Sequence, residues 1–182
     1  MVFVTGLHNW RDVRIGTIGT QSFKSEEAVA ALHGYIYLER QDVGAIAISS
    51  PIGTRLLAQS GGILPTLFDE QVRHIGLSSI VPLDERHLSR ERIRKAFSRG
   101  TNATLLGERL LCLGMTWERV VLNTELFEKC AQAYVIAKAS SIRTGVIPSW
   151  VRIIANHRLK RDERRAAASY LNGRLPEATS AY

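Results

Sequence analysis

The sequence has only two cysteines, and both fall where buried structure is expected: Cys112 in an apolar strand-like run, Cys130 on the apolar side of a helix. Small thiols in such places are ordinary core residues, so neither a disulfide nor a cysteine-based metal site is expected. Long apolar runs are missing as well, since nothing approaches the ~18 uninterrupted apolar residues of a membrane span. The opening, MVFVTGLHNWRD, has neither the basic head nor the apolar stretch of a secretory signal. A soluble, cytoplasmic protein with no membrane partner is the expectation. Acidic residues are in deficit, 17 against 24 Lys and Arg, which leaves a net charge of +7. That excess calls for an acidic partner to be weighed, either nucleic acid or a phosphorylated metabolite.

What is present is enough apolar material for one core. With 182 residues, 45% of them hydrophobic, a single domain over 1–182 is expected. The charge is uneven. Residues 151–182 hold seven bases against Asp162, Glu163 and Glu177, so +4 of the +7 sits in that stretch. Residues 161–182 therefore read as a basic, weakly packed extension.

The opening VFVTG reads as a strand, and Arg14 to Ser22 as a connection. Ser25 followed by Glu26 and Glu27 caps a helix running to Arg40. VGAIAIS (43–49) lacks polar alternation and reads as a strand buried on both faces. Ser50 and Pro51 open a short helix ending at Ser60-Gly61-Gly62. FDEQVRHIG reads as a helical turn, SSIVPL as a strand, HLSRERIRKAFSRG as a charged surface helix closed by Gly100, and NATLLG and RLLCLG as two further strands. Thr116 caps a long helix with Val120, Phe127, Cys130, Ala131 and Tyr134 on one broad apolar side. Pro148 at the first helical position starts a final helix.

Three stretches carry a family resemblance: LHGYIYLERQDVGAIAISSP (32–51), GGILPTLFDEQVRHIG (61–76) and RLLCLGMTWERVVLNTELFEKCAQAYVIA (109–137). The first is similar to a segment of the class II aldolase and adducin family in which Leu-His, Ile-Tyr and an Arg-Pro-Asp-Val run lead into the central strand, here with Gln41 in place of the proline. The second is similar to that family's Gly-x-x-Leu-Pro connection, and the third to its strand, turn and long helix. The likeness covers roughly residues 3–160. It implies a three-layer α/β/α domain around a mostly antiparallel sheet, and cyclic tetramers with sites between subunits. The family's first helix and first strand precede the position of Phe3, and their absence implies an open sheet edge for another chain to cover and an unstable isolated monomer.

The sequence departs from the family at the chemistry. Family enzymes end the central strand in His-Thr-His, giving two imidazoles to a divalent metal; this chain reads Ile48-Ser49-Ser50-Pro51, with one residue deleted. A third histidine, from Asn-His-Gly, is replaced within Gly107-Glu108-Arg109. One carboxylate and two hydroxyls substitute poorly for three imidazoles around zinc, so neither metal nor other cofactor is expected. The family's catalytic Glu lies one turn before Leu-His, where Val29 stands. Of its phosphate-binding loop only Thr5-Gly6 and Ser25 have counterparts.

Each remaining candidate has a plain reading beside the functional one. His33 is a base or, more simply, a structural helix histidine. His74 near Asp69 and Glu70 is an acid-oriented imidazole or part of a solvated turn. Ser49 and Ser50 line a polar pocket at a strand's carboxyl end or cap the next helix. The cysteines lack an adjacent activating base. The runs HRLKRDERR and RERIRKAFSR bind phosphates or form solvated faces, and Asp162, Glu163 and Glu91 interrupt them.

Three functions follow. A non-catalytic descendant kept for binding or assembly, like adducin's head domain, explains the combined losses; its partners would be further copies of itself or a related chain. A metal-independent lyase, isomerase or cyclase acting on a small carbonyl compound or an anionic ligand would use His33, Ser49, Ser50, His74 and Glu108, with Thr5, Gly6, Ser49 and Ser50 as ligand contacts. Nucleic-acid binding through the basic end is the third and least supported reading.

Overall fold

A computed structural model describes residues 3–6, 26–77, 82–97, 100–141 and 143–177. Four strands form one sheet: β1 (Phe3–Gly6), β2 (Ala45–Ser49), β3 (Ala103–Leu106) and β4 (Arg109–Gly114). They lie in the order β1-β2-β4-β3 and every strand pair is antiparallel. Among the described residues six α-helices accompany them, α1 (Glu26–Glu39), α2 (Ile52–Gln59), α3 (Asp69–His74), α4 (Arg90–Phe97), α5 (Trp117–Ala139) and α6 (Ser149–Leu171), with a short 3-10 turn at Glu85–His87.

The layering follows from the two-residue period of the strands. Ala45, Ala47, Leu105, Leu110 and Cys112 face Leu57 of α2 and Leu126, Phe127 and Cys130 of α5. Ile46, Ile48, Leu106, Leu111 and Leu113 face Leu32 and Ile36 of α1 and Ile93 and Phe97 of α4. β2 therefore has no solvent face: all five residues are buried, as its unbroken apolar run requires. Fully burying one leucine or isoleucine is worth about 1.5–3 kcal/mol, and both sides of the sheet contain several. The described residues thus form three layers, helices on each side of one antiparallel sheet.

Local chemistry sets the helix ends. Thr116 accepts from Arg119 N at 3.3 Å and starts α5. α2 begins after Pro51, which offers no side-chain acceptor. Glu128 of α5 takes that role, its carboxylate accepting from Gly53 N at 2.6 Å and Thr54 N at 2.9 Å. Pro148 sits one place before the first helical residue of α6, not in it. The expected strand SSIVPL falls largely outside the described residues; Leu83 at its end forms an isolated parallel bridge to Leu106. The Arg14–Ser22 connection and the Ser25 cap also lie outside them.

The basic end differs from the expected loose extension. α6 continues through residue 171 and buries Leu159, Asp162, Glu163 and Ala166. Asp162 and Glu163 are held there by ion pairs with the distant Arg73 and Arg40.

Candidate functional site

The carboxyl end of β2 is where an α/β sheet would place a ligand. Ile48 is 1% exposed and lies in the core on the α1 and α4 side. Ser49 points to the opposite side; it is buried, and its Oγ has no hydrogen-bond partner among the described residues. Ser50 is exposed, just past the strand. Ser49 pairs in register with Leu110, so the Gly107-Glu108 turn between β3 and β4 lies at this same end of the sheet. Glu108 is exposed there and accepts from Gln59 Nε2 at 3.4 Å.

Thr5 and Gly6 do not join this group. Gly6 pairs with Ala45, while Ser49 is four residues further along β2, about 13 Å at strand spacing. The expected ligand set of Thr5, Gly6, Ser49 and Ser50 is thus split between the two ends of the strand.

His33 is buried on α1 beside Leu32 and Ile36 of the core, and burial holds it at about 4, so it is neutral at neutral pH. His74 is also held at about 4, by burial and then by the positive charges of Arg119 and Arg73, against the pull of Asp162. It makes no unit with Asp69 or Glu70, both exposed on the first turn of α3. Instead its Nδ1 accepts from Arg119 Nη1. An imidazole with its lone pair taken by a guanidinium is a poor base. Burial pushes the Cys112 thiol to about 12 and the Cys130 thiol to about 11, so both are inert at neutral pH.

The buried charges concentrate elsewhere. Arg40 grips Asp42 with both oxygens, Nε to Oδ1 at 2.8 Å and Nη2 to Oδ2 at 2.7 Å. It also donates to Asn102 Oδ1 at 2.8 Å, to the Thr101 carbonyl at 3.1 Å and to Glu163 Oε1 at 3.2 Å. Lys160 Nζ reaches the other oxygen of Glu163 at 2.7 Å. Arg73 Nη2 donates to Asp162 Oδ2 at 2.5 Å, and Tyr170 Oη to the Met115 carbonyl at 2.5 Å. These bonds fasten α6 to α3 and to the loops flanking the sheet. Sequence reasoning missed both acids as anchors; the one signal was two adjacent carboxylates inside a run of bases.

The donor set does not fit the family's metal. Ile48 offers no lone pair, Ser49 faces away from it, and Ser50 and Glu108 are exposed. Among the described residues no group of three or more His, Cys, Asp or Glu is placed to hold an ion.

Residues 10–135, well over half of the chain, match the family model for the class II aldolase and adducin N-terminal domain. The chain belongs to this family. Solved structures agree at the level of fold. An L-fuculose 1-phosphate aldolase superposes with a TM-score of 0.62 at 20% identity, covering 79% of this chain and 67% of its own. The L-fuculose 1-phosphate aldolase of Glaciozyma antarctica gives 0.59 at 20%, over 85% and 62%. An aldolase II superfamily protein from Pseudomonas syringae gives 0.55 at 16%, over 81% and 61%. The chain spans about two thirds of the length of these structures. No curated protein matches its sequence. Identity this low carries the fold and leaves the activity to the site itself.

Proposed function

We propose that this class II aldolase-like chain does not act as a zinc aldolase and serves as a binding or assembly subunit. The carrying observation is the end of β2. Two of the family's three imidazole positions fall on Ile48, Ser49 and Ser50, of which the first is core, the second faces the α5 side and the third is solvent-exposed. The position of the general base falls on Val29, which has no proton to exchange. The partners are further copies of the chain, with a tetramer as the family-based expectation, or a related chain that keeps the histidines. The test is co-expression of this chain with a histidine-bearing family member, followed by light scattering and an assay of aldol cleavage. Assembly without added turnover from this chain alone supports the reading. A monomer that cleaves phosphorylated aldols contradicts it.

One observation favours a second reading, a metal-independent lyase, isomerase or cyclase on a small carbonyl compound. The Ser49 hydroxyl is buried without a partner at a strand's carboxyl end, and leaving such a group unpaired costs about 1–3 kcal/mol unless a ligand completes it. Alanine at His33, Ser49, Ser50, His74 and Glu108 in turn tests this; activity intact in all five sinks it.

Nucleic-acid binding through the basic end is best tested by point substitution. Removing residues from 158 onward also removes buried Leu159, Asp162, Glu163 and Ala166, so a truncation would report unfolding.

A further inference from the structure

α6 sorts its charges by side. Its two acids, Asp162 and Glu163, turn inward, where Arg73, Arg40 and Lys160 hold them. Four bases, Arg158, Arg161, Arg164 and Arg165, are exposed, and none has an ion-pair partner among the described residues. The acids that interrupt the basic run in the sequence therefore do not interrupt it on the surface. Apolar groups bracket these bases. Trp150, Ile153 and Ile154 precede them at 66%, 66% and 52% exposure, and Leu171 follows at 75%. At about 100° per residue all these positions share one outward arc of about 140°, and Trp150 to Leu171 spans about 32 Å of helix. Among the described elements α6 packs chiefly on the short α3, and these positions stay exposed.

We propose that the outer face of α6 is a peripheral docking surface for a bilayer containing anionic lipid. The helix lies along the headgroup plane, with Trp150, Ile153, Ile154 and Leu171 in the interfacial layer and the four arginines on lipid phosphates. His157 and Ala168 share the arc, and the larger groups on it each have a role: tryptophan favours the wet edge of a membrane, isoleucine and leucine the acyl boundary, and guanidinium the phosphate. A nucleic acid backbone would satisfy the arginines and leave the isoleucines and leucine in water. A second copy of α6 in parallel would oppose arginine to arginine. A protein partner would meet a convex ridge, where a flat surface makes contact along its whole length. No helix among the described residues is long and apolar enough to cross a membrane.

The test uses the full chain and vesicles of phosphatidylcholine with or without phosphatidylserine, read by co-sedimentation and by the emission of Trp150. A Trp150→Phe control assigns the signal, since Trp10 and Trp117 also emit. Expected are binding to the phosphatidylserine vesicles only, a blue shift on binding, and weakening as salt is raised. Replacing Arg158, Arg161, Arg164 and Arg165 by Gln lowers partitioning by at least about a hundredfold, since each base near an anionic surface contributes about fivefold. The pair Trp150→Ser and Ile154→Ser also weakens binding, and at low salt too. Far-UV circular dichroism and thermal unfolding of both variants stay near the parent because the altered side chains are exposed. No affinity for phosphatidylserine vesicles overturns the proposal. So does binding to nucleic acid alone that ignores Trp150 and Ile154, or variants that only dissolve an oligomer.

Discussion

Arg40 shows how much one side chain holds. Its guanidinium joins Asp42, Asn102, the Thr101 carbonyl and Glu163, linking the end of α1 to the start of β3 and to α6. Removing one partner of a buried pair leaves the other charge uncompensated, so Arg40→Ala should destabilise by about 3–5 kcal/mol in urea unfolding. Two histidines make a second residue-level prediction. His33 and His74 are held at about 4 against an unperturbed 6.5. As pH falls through this interval the unfolded chain binds protons that the folded chain refuses, so stability is full above about pH 6.5 and declines toward pH 4. Between pH 7 and pH 5 the slope should flatten in the double variant His33→Gln, His74→Gln; an unchanged slope would assign the loss to other groups. Residue chemistry of this kind was only partly legible. His33 lies buried beside Leu32 and Ile36, a setting in keeping with the plain structural reading of a lone helix histidine. His74 misleads because its partner, Arg119, lies 45 residues away while Asp69 and Glu70 lie close in sequence.

At the scale of elements, α2 borrows its N-terminal cap from α5. A carboxylate on two free N–H groups at a helix start is a charge-assisted cap, and Glu128→Ala should cost about 1–2 kcal/mol in thermal or urea unfolding, with Glu128→Gln recovering part of it. Gly114 ends β4 where α5 begins, and a Cβ there would meet Val120 N and Cγ2, each at 2.7 Å. Backbone cannot yield as a side-chain tip can, so Gly114→Ala should cost about 1–3 kcal/mol in the same measurement. α5 itself was legible because cap and apolar face are local signals. β2 was legible because an unbroken apolar run can only be buried on both sides. The second half of α6 was not. Its anchors, Arg73 and Arg40, precede it by 89 and 123 residues, and a charged run looks solvated until those partners are in place.

For the whole molecule, the layers and the family's metal chemistry depend on different residues. The sheet needs alternating small and branched apolar side chains, which Ala45, Ile46, Ala47 and Ile48 supply; the metal needs imidazoles at the end of that same strand, which Ile48, Ser49 and Ser50 do not. Fold and site chemistry are separable, since one fold can carry many different sites. The family and layering were thus readable from 32–51, 61–76 and 109–137, whereas the split between Thr5-Gly6 and Ser49-Ser50 needed the strand register. The central claim concerns zinc, and calorimetric titration of zinc into the chelator-treated full chain tests it most directly. Ser50→Ala and Glu108→Gln run beside it. Weak, non-stoichiometric heat that both substitutions leave unchanged is the predicted result. One zinc per chain at submicromolar affinity, lost in Glu108→Gln, would contradict it and return this chain to the metal-dependent lyases.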